Sequence, residues 1–170
     1  GEIPQAWHLE RLNMSSAWTM ATGAGVTVAV IDTGVASVGT PYFTADRITT
    51  YDLQGGMSQK DQEQGGIDCL HGTQVDVRTN FSGIAPDATV LSYRVLTASA
   101  QEQETAIQDP VVATAAAIEH AVSEGAQVIN LSQTVPGNDP SLPLLERVVA
   151  EAIDAGVVVV AAAGNEGESM

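Results

Sequence analysis

A single cysteine, Cys69, is all the thiol this chain has, so no internal disulfide can form and cysteine usage says nothing about the redox compartment. Aromatic residues are almost as scarce, at 4%, although 44% of the 170 residues are apolar. A core must therefore be built from Val, Ala, Ile and Leu, which suits a parallel sheet. Cations are scarce too, with 6 Lys and Arg against 21 Asp and Glu, and the formal net charge is −15. Nucleic acid and anionic membrane surfaces would repel such a chain, which argues against both as partners. No apolar run reaches the roughly 18 residues of a membrane span, and no charged-then-apolar leader opens the sequence. Repeats and low-complexity tracts are missing as well, and the length predicts one domain over 1–170.

What is present is organised around Val26 to Val35, VTVAVIDTGV. Gly23 and Gly25 punctuate its approach, and the run is apolar on both faces until Asp32-Thr33-Gly34 breaks it. That pattern predicts a central strand of a parallel sheet with helices on each side. Short helices are expected over 4–12, starting at Pro4, and from a cap at Ser15 or Ser16 to about Thr22. Further strands are expected over Arg47–Asp52, Thr89–Val95, Val128–Leu131 and Val157–Ala163. Helices are expected from Pro110 to a stop at Gly125 and from about Leu142 to Ala155, with polar loops at 54–66 and 98–109. Strands alternating with helices of this length imply βαβ crossovers, so the fold class is α/β.

Asp32 falls at the carboxyl end of the central strand, where open α/β sheets form ligand crevices and where a buried acid needs a partner. His71, in Asp68-Cys69-Leu70-His71-Gly72-Thr73, is the candidate, because an imidazole acting as base needs an acid on its other nitrogen. Asp-Thr-Gly also marks aspartic peptidases, but those need a second copy or a symmetric dimer and are mostly β. Gly23-Ala24-Gly25 precedes a strand instead of opening a helix after one, so it is not a dinucleotide loop. Cys69 lies two residues before His71 with Leu70 between, a spacing that points the two side chains apart and favours a partly buried free thiol over a nucleophile.

Asp32-Thr33-Gly34, His71-Gly72-Thr73 and Ala163-Gly164-Asn165 occur in the order of the motifs of the subtilisin-like serine peptidases, and the chain resembles that family over nearly its whole length. Asp68-Cys69 ahead of the histidine is similar to the mycosin branch. The resemblance implies a subtilisin-like three-layer fold, a parallel β-sheet flanked by helices, ending here after the fifth core strand. It implies catalytic roles for Asp32 and His71, and an oxyanion donor in Asn165, a role worth about 3 kcal/mol where such donors are removed. Ser132, Gln133 and Thr134 stand where the family's Ser-Leu-Gly edge pairs with an extended substrate backbone. Gln133 and Thr134 depart from that pattern, and Thr at the third position makes close approach harder than Gly does. The sequence Gln74-Val75-Asp76-Val77-Arg78 also departs, since Asp76 and Arg78 do not suit a buried helix.

No Gly-Thr-Ser-Met-Ala follows Asn165, so the family's nucleophile is not among these residues. Ser169 in Gly167-Glu168-Ser169-Met170 echoes it superficially but comes too soon after Asn165. Two readings follow. In one, this is a serine endopeptidase domain or subunit that is inactive alone. In the other, it is a non-catalytic pseudopeptidase acting as a binding or assembly module. No cofactor is expected, and no stretch has convincing spacing for the Ca²⁺ that subtilases often bind. The partner expected of a completed site is a peptide or protein substrate. The strand Val157–Ala163 has no charge, proline or bulge to protect it as an edge, so a homo-oligomer or a second chain completing the sheet is expected there. Export is common in the family, but the sequence leaves the compartment open.

Overall fold

The structure, a computed structural model, describes residues 7–34, 47–55, 84–97 and 108–164. Two short helices, α1 (Trp7–Arg11) and α2 (Met14–Ala17), lead into β1 (Thr27–Asp32). β2 (Ile48–Asp52) and β3 (Thr89–Arg94) follow, then α3 (Pro110–Ser123), β4 (Val128–Leu131), α4 (Leu142–Asp154) and β5 (Val158–Ala161). The five strands form one parallel sheet in the order β2-β3-β1-β4-β5. β1 is therefore central, as its apolar run predicts.

The two long helices begin and end on local chemistry. Asp109 caps α3 by accepting at Oδ1 from the N–H groups of Val111 (2.8 Å) and Val112 (3.2 Å), and Pro110 fills the first turn, where no N–H is needed. Gly125, at φ +80°, ends it, and the Ala126 N–H closes back on the Ala121 carbonyl at 3.0 Å. Gly156, at φ +86°, ends α4 in the same way, with Val157 N–H on Ala152 O. The cap of α2 differs from the sequence expectation. Asn13, not Ser15 or Ser16, precedes this helix, in the left-handed region at φ 51° and with no side-chain bond. Asn tolerates that conformation better than most residues, and it lets the chain turn sharply between α1 and α2.

Register explains where the core sits. Ala29 and Ile31 of β1 align with Leu91 and Tyr93 of β3 and with Ile129 and Leu131 of β4, and all six are buried. Against them pack the small residues of α3, including Ala113, Ala117 and Ala121, with Val148 and Ala152 of α4. Alanine on the helix lets the sheet carry the bulk. The opposite face of β1 is only half-buried at Val28, Val30 and Asp32, so the two faces are less alike than the run suggests. At the β2 side, Tyr51 stacks on Tyr93 with ring centroids 4.8 Å apart, and the Tyr93 hydroxyl meets His120 Nδ1 at 2.9 Å. Burial, then the charges of Tyr51 and Glu124, push the Tyr93 phenol well above its usual range. On the opposite edge, Val158 and Val160 of β5 are 58% and 49% exposed, while Val159 turns inward against the core. The expected helix after His71 lies outside the described residues.

Candidate functional site

β1, β3 and β4 all end at the same rim of the sheet, because their registers align Asp32 with Arg94 and Ile31 with Leu131. Asp32 is thus delivered to the carboxyl end of the central strand, half-buried, as the sequence predicts. Its Oδ1 accepts from the Thr33 N–H at 2.7 Å, and its carbonyl accepts from Val95 (2.8 Å) and Leu96 (3.2 Å). These bonds fix the backbone on both sides of the carboxylate. His71 and Asn165, together with Cys69 and Ser169, lie outside the described residues.

The register adds two charges that the motif reading did not include. Asp32, Arg94 and Asp52 stand abreast on β1, β3 and β2, so their side chains share one face in a minus, plus, minus row. Arg94 is 5% exposed, and its Nη1 donates to Asp52 Oδ1 at 2.9 Å and to the Gly55 carbonyl at 3.0 Å. Asp52 Oδ1 also accepts from the N–H groups of Gln54 and Gly55, both at 3.0 Å. Gln54, fully buried, donates Nε2 to the Val95 carbonyl at 2.7 Å. The turn after β2 is thereby knitted to the end of β3, beside Asp32. The signal available in the sequence was an Arg closing a strand with no other charge, which buried surroundings tolerate only when paired.

Ser132, Gln133 and Thr134 continue β4 past its last ladder pair. Ser132 and Thr134 are exposed and Gln133 is half-buried. Among the described residues, the backbone of Ser132 to Thr134 makes no backbone hydrogen bond, whereas Leu131 O still accepts from Ala162 N at 3.0 Å. Ser132 Oγ accepts from Asn130 Nδ2 at 2.8 Å. Gln133 turns toward α3 and donates Nε2 to Thr114 Oγ1 at 2.8 Å, and Thr114, fully buried, donates its own proton to the Pro110 carbonyl at 2.7 Å. Gly164, at φ +92°, approaches the Thr134 methyl so closely that a Cβ there would lie 3.1 Å from it. The positive φ favours glycine, and the close approach brings the residue before Asn165 next to Thr134.

Between α3 and this stretch is a pocket of about 170 Å³, whose wall includes Leu96, Asp109, Thr114, Gln133, Thr134 and Asp139. Thr114, Asp109 and Asp139 were not legible as site residues. A lone Thr in an alanine-rich helix was the one hint. Among the described residues no group of three or more His, Cys, Asp or Glu could hold a metal ion, and no helix is long and apolar enough to cross a membrane.

Comparison with known proteins adds to this geometry. A sequence model described as the subtilase family matches residues 23–170. Mycosin-1 of Mycolicibacterium smegmatis is 34% identical over 184 residues, covering 95% of this chain and 39% of that protein. Thermitase of Thermoactinomyces vulgaris is also 34% identical, over 94% of this chain and 54% of its own length. The crystal structure of MycP1 with its N-terminal propeptide removed superposes with a TM-score of 0.64 at 30% identity, covering 95% of this chain and 50% of that one. The chain spans about half the length, or less, of these relatives.

Proposed function

The chain belongs to the subtilase family, and from that membership we propose that it carries the aspartate, histidine and oxyanion-asparagine share of a serine endopeptidase site. In this reading Asp32 holds the His71 imidazole in one tautomer and stabilises its charged form, His71 is the general base, and the Asn165 amide donates to the oxyanion. Ser132 to Thr134 present the backbone edge along which an extended peptide lies. The nucleophile is supplied from outside these 170 residues, so the chain alone turns over no peptide. The observation that carries the reading is the position of Asp32: an acid fixed by its own strand end at the carboxyl rim of a central parallel strand, in a chain matching the family from residue 23 onward.

The partner in this proposal pairs at β5. Val158 and Val160 leave an apolar, half-exposed strand at the end of the sheet order, and a second copy or a second chain would extend the sheet there. Treatment of the purified chain with a serine-directed fluorophosphonate tests the catalytic part, because acylation chemistry needs a hydroxyl facing the base. No labelling is expected. Labelling that disappears in Ser169→Ala would show that the chain holds its own nucleophile.

A further inference from the structure

At the carboxyl end of α3, away from the Asp109 cap, stands a group of four titratable side chains that belongs to no part of the candidate site. Tyr51 of β2 and Tyr93 of β3 stack with ring centroids 4.8 Å apart and planes 13° from parallel, and the His120 ring lies edge-on to both, at 4.8 Å from Tyr51 and 5.8 Å from Tyr93. Glu124 follows one turn on, its N–H bonded to the His120 carbonyl at 2.9 Å. Burial first, then the nearby charge of Glu124, raises the Tyr51 phenol above its usual range, so the carboxylate faces that hydroxyl.

The direction of the 2.9 Å contact between the Tyr93 hydroxyl and His120 Nδ1 follows from counting protons. Tyr93 is 1% exposed, and its hydroxyl makes no other hydrogen bond among the described residues, so a phenol proton withheld from the ring would be buried without an acceptor. Burial, then the charges of Tyr51 and Glu124, also keeps the phenol protonated. Tyr93 therefore donates. Nδ1 accepts, so the ring is neutral and carries its proton on Nε2, at a residue exposed to solvent.

A second proton on the ring removes that acceptor. The charged imidazole has two donors and no free lone pair, so it cannot take the Tyr93 proton, whereas Glu124 offers it a carboxylate one turn along the helix and the carboxyl end of α3 favours a cation. Glu119, the adjacent carboxylate, is already engaged by Arg147 of α4 at 3.3 Å. We propose that His120 is a proton-driven latch between α3 and the strands β2 and β3: the neutral ring holds Tyr93, and the protonated ring leaves it for Glu124, which is thereby drawn from Tyr51. One protonation then releases two tyrosine hydroxyls. Each form of the ring has its own partner, so acid exchanges contacts at this end of α3 and leaves the rest of the fold in place.

NMR of the full 170-residue chain tests the latch across the interval in which histidines titrate, from about pH 8 to about pH 5. At the upper end the ring nitrogen shifts are expected to show Nε2 protonated and Nδ1 free, with nuclear Overhauser contacts from the ring to Tyr51 and Tyr93. At the lower end those contacts are expected to disappear, and the amides of 120–125 to exchange about fivefold faster relative to their intrinsic rates, the equivalent of one lost hydrogen bond. His120→Asn places an amide oxygen near the position of Nδ1 and cannot titrate, so its amide protection is expected to stay constant over the same interval. Tyr93→Phe keeps the stack without the donor, and its protection at about pH 8 is expected to equal that of the natural chain at about pH 5. A neutral ring protonated on Nδ1, ring contacts that persist unchanged in acid, or a loss of protection in His120→Asn equal to that of the natural chain overturns the proposal.

Discussion

Placing lysine at both Val158 and Val160 should dissolve any assembly built through β5 without unfolding the chain. The two valines are 58% and 49% exposed, so the folded chain has already buried about half of each. Full burial of such a side chain is worth about 1.5–3 kcal/mol, which leaves about 1 kcal/mol per valine to be gained on association. A two-fold dimer covers both valines on each copy, giving about 4 kcal/mol, or about three decades in Kd. Lysine forfeits that gain and sets like charges against each other across the new strand pair. Position 159 is unsuitable for the same experiment. Val159 faces the core beside Ile129, so a charge there would destabilise the fold and confuse the two effects. Sedimentation velocity across a micromolar range reads the outcome directly. The natural chain should associate and the double-lysine variant should run as a monomer with an unchanged melting transition. A natural chain that is monomeric throughout, with slow amide exchange along 157–163, would refute the edge argument and show that the chain covers this strand itself.

Two further outcomes follow from the interior. Arg94→Met should cost about 3 kcal/mol in urea unfolding, since it removes one partner of a largely buried pair and leaves Asp52 charged, and adding Asp52→Asn should recover part of that loss; a cost below about 1 kcal/mol for Arg94→Met would mean the pair is not stabilising. Tyr93 has a folded pKa raised above its unfolded value of about 10, so the neutral phenol stabilises the fold fully below pH 10, and that stability is lost as pH rises through the folded value. Tyr93→Phe should therefore lose about 1 kcal/mol at pH 8, where the bond to His120 is missing, yet fall off less steeply above pH 10. Parallel stability curves for the two proteins through pH 8–11 would contradict this.

Much of this architecture was legible because periodicity and punctuation agreed. Pro110 and Gly125 bracket α3, and the apolar run into Asp32 marks the central strand, since each signal acts through the local backbone alone. β5 shows the limit of that reasoning. Its apolar run extends from 157 to 163, but pairing stops at Ala161 because its partner β4 ends at Leu131, and strand length is set by the neighbour. The site followed the same division. Asp32 could be placed from the end of its own strand. The row with Arg94 and Asp52 needed the register of three strands, and the bond from Gln133 to Thr114 joins residues 19 apart across a strand and a helix. No spacing rule in the sequence brings those groups together.

The central claim is that Asp32 and His71 form one acid–base unit, and an NMR titration of the His71 imidazole in the natural chain and in Asp32→Asn tests it most directly. A carboxylate held against the ring favours the charged imidazole, so the natural chain should titrate at higher pH than the variant, by about one unit or more. Stability linked to that pair would then be present at low pH and lost as pH rises through the folded histidine value. Superimposable titration curves for the two proteins would mean that the aspartate and the histidine do not meet, and the proposed site would fall with them.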